Sequence, residues 1–407
     1  MTNLHSSNKV RTRSDLLTLL SEACELEHGL ACSYLYAAFS LKQHLSEGGL
    51  TWEQLHKVKK WAAQLYLVAS QEMFHLSQNW NLLNAIGGTP YYMRPNFPQP
   101  SKYYPIRIPL TLEPFSERSI KRFIMYELPR NKGERDYLKD ELGYQGEDLY
   151  EYTTVGQLYD LIREGILSIP ENELFVGIPE LQMGKEQIDF QEIVKVIDSK
   201  SALDGIDRVV EQGEGNESEH VNSHYGIFCS ILAEFLQERK LNGSLYDPVR
   251  NAITNPVIHI KGDYRADRGN YLTNEFTAQV ADLFDDLYNL MLRVLHFVFS
   301  APGQTQLNRR NLCSFAIAMM PMVLKPLGDA IMQLPAGRLY PGKTAGPAFS
   351  MSRHVILPQS ENTARIVILE RFAELTNRAK WTATTRADLV VLDAVTQNLE
   401  RLKTYIQ

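Results

Sequence analysis

Apolar residues recur every three to four positions along much of the chain, the period of helices that bury one face. The first run carries Leu16, Leu19, Leu20, Cys24, Leu26, Leu30 and Tyr34 behind Ser14 and Asp15, which supply an N-cap. It extends toward His44 and stops where Gly48 and Gly49 break the pattern. Thr51 caps a second run through Leu55, Val58, Trp61, Leu65, Val68 and Leu76, closed by Gly87, Gly88 and Pro90. Two helices of about 30 residues joined by so short a loop must lie antiparallel, so the pattern predicts a long helical hairpin.

The remaining pattern is also helical. Residues 91–112, rich in Pro, Tyr and Arg, read as a crossover. Short helices are expected at 116–128 and 154–164, with a charged surface loop at 130–150 between them. A helical pair follows at 201–213 and 217–239, then helices at 273–300 and 311–334, the latter kinked by Pro321 and Pro326. The last pair is expected at 361–379 and 386–405. Only "KYYPIRIPLTL" and "RHVIL" carry strand signals. The class is mostly α, divided into a bundle over 1–240 and a helical region packed on it over 241–407.

Composition narrows the function. With 44% hydrophobic and 22% charged residues, the 407-residue chain reads as an ordinary globular protein. A net charge of -6 and the lack of a long basic run argue against nucleic acid. No leader-like N-terminus is expected, and the longest apolar stretch, "LCSFAIAMMPMVL", is short and contains Pro321. No membrane partner is therefore expected. Cys24, Cys32, Cys229 and Cys313 form no CxxC pair, which suits reduced thiols in the cytoplasm.

The second helix carries one feature its packing does not require. Within "ASQEMFHLSQNWNLLNAIGGTP", Glu72 and His75 stand three residues apart and share a face. Alone, such a pair is weak evidence and reads first as a polar helix edge. Glu27, on the other arm, lies 22 residues before residue 49, while Glu72 and His75 lie 23 and 26 after it. At about 1.5 Å per residue the three groups reach nearly the same height. Burying them unpaired costs on the order of several kcal/mol per charge, which a metal ion offsets. A second set is expected from Glu211 and His224, roughly level across the loop near residue 216; a solvated helix end is the competing reading. His220 and His224 share a face, one helical turn apart. Carboxylates mixed with imidazoles suit iron or manganese better than structural zinc. His28 is expected to face outward, because consecutive residues of a helix cannot aim at one point. Gly213 and Gly215 read as helix-stop glycines, and "TAGPAF" as a turn or packing motif.

Taken together, "LEHGLACSYLYAAFSL" and "ASQEMFHLSQNWNLLNAIGGTP" resemble the ferritin-like domain of the iminophenyl-pyruvate dimer synthase type, found in violacein and rebeccamycin pathway enzymes. The resemblance continues through "IPLTLEPFSERSIKRFIMYELP", "YTTVGQLYDLIREGI", "VVEQGEGN", "SHYGIF" and "TAGPAFS", covering roughly residues 15–350. It implies a ferritin-like bundle with long insertions. It matches Glu27, Glu72 and His75 to the metal positions of the first two helices, Glu211 and His224 to the second half-site, and Tyr34 to a tyrosine following the first ligand. The chain departs from the pattern at Val221, where a complete second ExxH has Glu. His220 or Glu217 substitutes, or that half-site is incomplete, with Glu127 in reserve.

The activity expected of such a chain is that of a metal-dependent, non-haem di-iron oxidoreductase of secondary metabolism, with manganese as the other ion, acting on a small and amino-acid-derived substrate. The alternative is a ferritin-like, iron-oxidising metal-binding protein without organic substrate. A homodimer is left open.

Overall fold

A computed structural model describes residues 10–100, 104, 108–129, 152, 154–190, 192–213, 222–258, 269–351, 353–386 and 388–406. The first helix, α1, spans Arg13–Ser40, with its N-cap two residues before the expected Ser14. Thr12 is the N-cap: its hydroxyl accepts from the Asp15 amide at 3.1 Å, and the Asp15 carboxylate accepts from the Thr12 N–H at 3.0 Å. The helix ends at Ser40 rather than near His44, because Leu41 turns extended and pairs with Val249. α2 spans Trp52–Ala85 from a capping box of Thr51 and Gln54. It ends at Gly87, whose φ of +82° suits a residue without a side chain. The two pack antiparallel, as the hairpin pattern requires.

α2 changes character along its length. Up to Ala69 it buries one stripe, but from Phe74 to Ala85 every residue is buried. The amides in that stretch serve a neighbouring segment that lacks regular structure. Gln78 Oε1 accepts from the Val194 amide at 2.9 Å, while Asn81 bonds both the amide and the carbonyl of Met183 at 3.0 and 2.8 Å. Without them those backbone groups would be buried unpaired.

Among the described residues, four longer helices add to the bundle: α3, Glu117–Tyr126; α4, Val155–Ser168; α5, Ser199–Gly213; and α6, His224–Asn242. α3 packs on α6, α4 on α1 and α5, and both α5 and α6 on α2. Gly205 lets α5 come close, since a Cβ there would stand 2.4 Å from Gln78 Nε2.

Beyond the bundle, α7 spans Glu275–Ser300, α8 Gln306–Met319, α9 Lys325–Ile331, α10 Glu361–Thr385 and α11 Val390–Leu402. Pro321 does not end its helix. A π turn over Met320–Leu324 joins α8 to α9, and its wider spiral accommodates a ring that an α-helix would reject. The continuous run Gln306–Ile331 is thereby long and apolar enough by composition to cross a membrane, but half of its apolar window is buried in the fold. The described parts of "KYYPIRIPLTL" and "RHVIL" form no strand. A two-residue parallel pair, β1 at Pro256–Val257 and β2 at Asn270–Tyr271, occurs instead.

The apolar core runs without interruption from the bundle into residues 241–407. Trp80 of α2 packs edge-on against Phe299 of α7 with centroids 5.0 Å apart, and Phe39 of α1 stacks on Phe349. This layer corrects the expectation for His28. The residue faces away from Glu27, yet it is only 1% exposed because α7 covers that side of α1. Its Nδ1 lies 2.8 Å from the Tyr92 carbonyl oxygen, and its Nε2 is hydrogen-bonded to the Tyr288 hydroxyl.

Candidate metal centre

Glu27, Glu72, His75, Glu127 and His224 converge between α1, α2, the end of α3 and the start of α6, each at most 5% exposed. They form two groups that share Glu72: Glu27, Glu72 and His75 in one, Glu72, Glu127 and His224 in the other, with one donor atom per residue lying within 4.8 Å of the rest of its group. His75 Nδ1 lies 3.1 Å from Glu72 Oε2 and 3.3 Å from Glu27 Oε2. His224 Nδ1 lies 3.0 Å from Glu72 Oε1 and 3.6 Å from Glu127 Oε2. The two imidazoles stack with centroids 5.3 Å apart. Glu72 thus turns one oxygen to each group.

The local folding explains which residues arrive. On α1, Leu30 and Tyr34 lie three and seven residues after Glu27, on the same buried face. Glu127 caps α3 and extends the buried series Ile120, Phe123, Ile124. Ser223 caps α6, accepting from the Gly226 amide at 3.2 Å, so His224 is the first helical residue.

Glu211 does not join. The buried face of α5 is carried by Ala202, Gly205, Ile206, Val209 and Gly213, and at about 100° per residue Glu211 sits on the far side, exposed. The next residue, Gln212, reaches the site instead, with Oε1 3.1 Å from His75 Nε2. Glu217, His220 and Val221 lie outside the described residues, as do Gly215 and 130–150.

Two tyrosines hold the outer carboxylates, one in each group. The Tyr159 hydroxyl donates to Glu27 Oε1 at 2.5 Å and accepts from Asn79 Nδ2 at 2.8 Å. The Tyr34 hydroxyl donates to Glu127 Oε1 at 2.5 Å. Tyr159 escaped the sequence reading, although its place between Leu158 and Ile162 on the buried face of α4 is a legible signal.

The electrostatics are those of crowded acids away from water. Burial and then the negative Glu72 push Glu27 up to about 7. Burial also opposes ionisation of Glu72, but the His224 charge beside it prevails and holds Glu72 low. For both imidazoles burial disfavours the charge, yet the carboxylates win, raising His75 to about 10 and His224 to about 9. Burial, then Glu127, raises the Tyr34 hydroxyl; burial, then Glu27, raises Tyr159, so both remain protonated donors.

The donor set fits a metal. Among the described residues no hydrogen bond reaches Glu72 Oε1 or either nitrogen of His224, all buried, although Nδ1 and Oε1 are only 3.0 Å apart. These atoms are close but misaligned for each other, as donors aimed at a shared point are. A cation placed there replaces the imidazolium protons as counter-charge. Filling both groups at pH 7 is therefore expected to expel between two and three protons, one from each of His75 and His224 and about half of one from Glu27. Affinity should climb with pH until those groups are neutral near 9 to 10. Calorimetric titration in buffers of different ionisation enthalpy reads the protons; a buffer-independent heat would contradict the assignment.

Beside the donors lies a free space of about 20 Å³, bounded by residues that include Leu30, Val155, Val209 and Val210. That volume holds roughly one water-sized molecule.

The Ferritin-like family profile matches residues 20–233, more than half of the chain and all five donors. The chain belongs to the ferritin-like family. Among curated proteins it is 28% identical over 431 aligned residues to dichlorochromopyrrolate synthase of Lentzea aerocolonigenes, covering 98% of this chain and 41% of that protein. It is 27% identical over 368 residues to 2-imino-3-(indol-3-yl)propanoate dimerase of Chromobacterium violaceum, covering 83% of this chain and 34% of that protein. The chain thus spans well under half the length of either relative. Among solved structures, a ferritin-like protein from Caulobacter vibrioides superposes over 84% of this chain and all of its own, with a TM-score of 0.53 at 18% identity, a likeness of fold.

Proposed function

We propose that this ferritin-like protein is a metal-dependent oxidoreductase of secondary metabolism, holding two iron ions, or manganese, between Glu27, Glu72, His75, Glu127 and His224. The observation that supports it most is the division of Glu72 between two buried groups, with unpaired donor atoms aimed inward. The names of the two relatives suggest the substrate class: an imino or related acid derived from an aromatic amino acid.

A redox-active ion held there supplies one-electron chemistry with dioxygen. The chain's own residues do the rest. The five donors fix the coordination geometry, and the apolar wall excludes bulk water. Tyr159 and Tyr34 hold protons at Glu27 Oε1 and Glu127 Oε1, which keeps those oxygens turned away from the imidazoles. The 20 Å³ space suits a diatomic co-substrate, whereas an indole ring requires the outer wall of α4 and α5 to open or binds outside it. Oxygen uptake by the iron-loaded protein decides between this reading and simple iron oxidation. Catalytic uptake that depends on an aromatic imino acid is expected. Uptake that stops in proportion to added ferrous ion, whatever organic compound is present, would transfer the reading to iron oxidation.

A further inference from the structure

We infer that the last turn of α5 is a positioning element of the centre, with Gln212 setting the orientation of His75 and Gly213 leaving room for Glu127. The inference rests on the metal reading above. It starts from the two sides of the His75 ring. Nδ1 faces the carboxylates of Glu27 and Glu72, at 3.3 and 3.1 Å, and so is the nitrogen that a shared ion meets. A neutral imidazole that lends the Nδ1 lone pair must carry its proton on Nε2. That N–H finds one acceptor, Gln212 Oε1, at 3.1 Å. The amide thereby fixes both the tautomer and the ring plane, as outer partners of metal-bound imidazoles do.

Gly213 acts on the other group. It does not adopt the left-handed backbone that would demand glycine, so the helix end alone does not account for it. A Cβ at this position would meet Glu127 Oε2 at 3.2 Å, the same oxygen that faces His224 Nδ1. A side chain here would press that carboxylate oxygen out of place by a few tenths of an ångström. Two consecutive residues of "VVEQGEGN" therefore serve the two halves of the site, while Glu211 just before them points to solvent. The close approach of α5 at Gly205 brings both within reach.

The test is anaerobic equilibrium titration with Mn²⁺ alone, followed by electron paramagnetic resonance, on protein whose helical circular dichroism matches the wild type. Gln212→Leu, similar in size but without an acceptor, is expected to weaken Mn²⁺ binding about 10- to 100-fold. Gln212→Asn, which withdraws the acceptor by one methylene, should weaken it too, and Gln212→Glu should bind at least as tightly as the wild type. Gly213→Ala should weaken binding at the group containing Glu127 and spare the other, giving one strong site in place of two. Wild-type binding that persists unchanged, in affinity and in spectrum, through Gln212→Leu and Gln212→Asn would overturn the role of α5 and leave the metal reading standing. Wild-type protein that takes up no Mn²⁺ or Fe²⁺ would overturn the metal reading, and this inference with it.

Discussion

Glu72→Ala should empty both halves of the centre at once. Each Glu72 oxygen serves a different group, Oε2 lying 3.1 Å from His75 Nδ1 and Oε1 3.0 Å from His224 Nδ1. Removing it leaves each group with one carboxylate and one imidazole, Glu27 with His75 and Glu127 with His224. Two donors seldom retain a hard divalent ion through dialysis. Glu27→Ala and Glu127→Ala each subtract from one group and keep the shared carboxylate. They should therefore lower the bound metal from two ions per chain toward one, not to zero. Metal content by mass spectrometry after dialysis reads all three variants. The ordering matters more than the absolute amounts: Glu72→Ala must fall well below the other two. Equal losses in all three would mean that Glu72 is not shared.

Trp80→Ala should destabilise the fold by roughly 3–5 kcal/mol. The ring is fully buried and packs against Phe299, and its Nε1 donates to the Tyr91 carbonyl oxygen at 2.9 Å. Truncation removes that contact surface and one hydrogen bond to a half-buried carbonyl, which adds about 1 kcal/mol. Against a total stability of about 5–15 kcal/mol the loss is large. Trp52, on the same helix but 67% exposed, is the control, and its alanine variant should stay within about 0.5 kcal/mol of the wild type. Urea unfolding followed by circular dichroism compares the midpoints. Because Phe299 belongs to α7, a severe effect also shows that residues beyond 241 support the bundle. A mild one would mean that the two regions unfold independently.

Two quantities decide where a helical side chain lands, and the sequence exposes them unequally. Height along the axis follows from counting residues at a fixed rise, and counting from the hairpin loop brings Glu27, Glu72 and His75 to one level, where the structure groups them. Direction around the axis advances about 100° per residue, so an error of one position turns a ligand into a surface group. Glu211 failed in that way: its height was right, but the buried face of α5 runs through Val209 and Gly213, so the inward residue between them is Gln212. Glu127 carried the opposite signal. It continues the apolar series of α3 and so had to be buried, although it stands at a helix end rather than on a facing helical pair. The Tyr159 to Glu27 bond joins residues 132 positions apart, and no local pattern reports such a pairing. The same holds for His28, whose outward direction from the hairpin was legible while the helix that covers it lies some 260 residues downstream. Pro321 shows that a breaker can be absorbed by a wider turn, an outcome set by the packing of α8 and α9 rather than by the residue itself.

The most direct measurement is an anomalous-difference map from a crystal loaded anaerobically with ferrous ion, collected on both sides of the iron absorption edge. Two iron peaks are expected, one between Glu27, Glu72 and His75 and the other between Glu72, Glu127 and His224, with Glu72 reaching both. Well-ordered side chains at all five positions with no iron density among them, or iron bound only elsewhere on the chain, would contradict the assignment of this bundle as a metal centre.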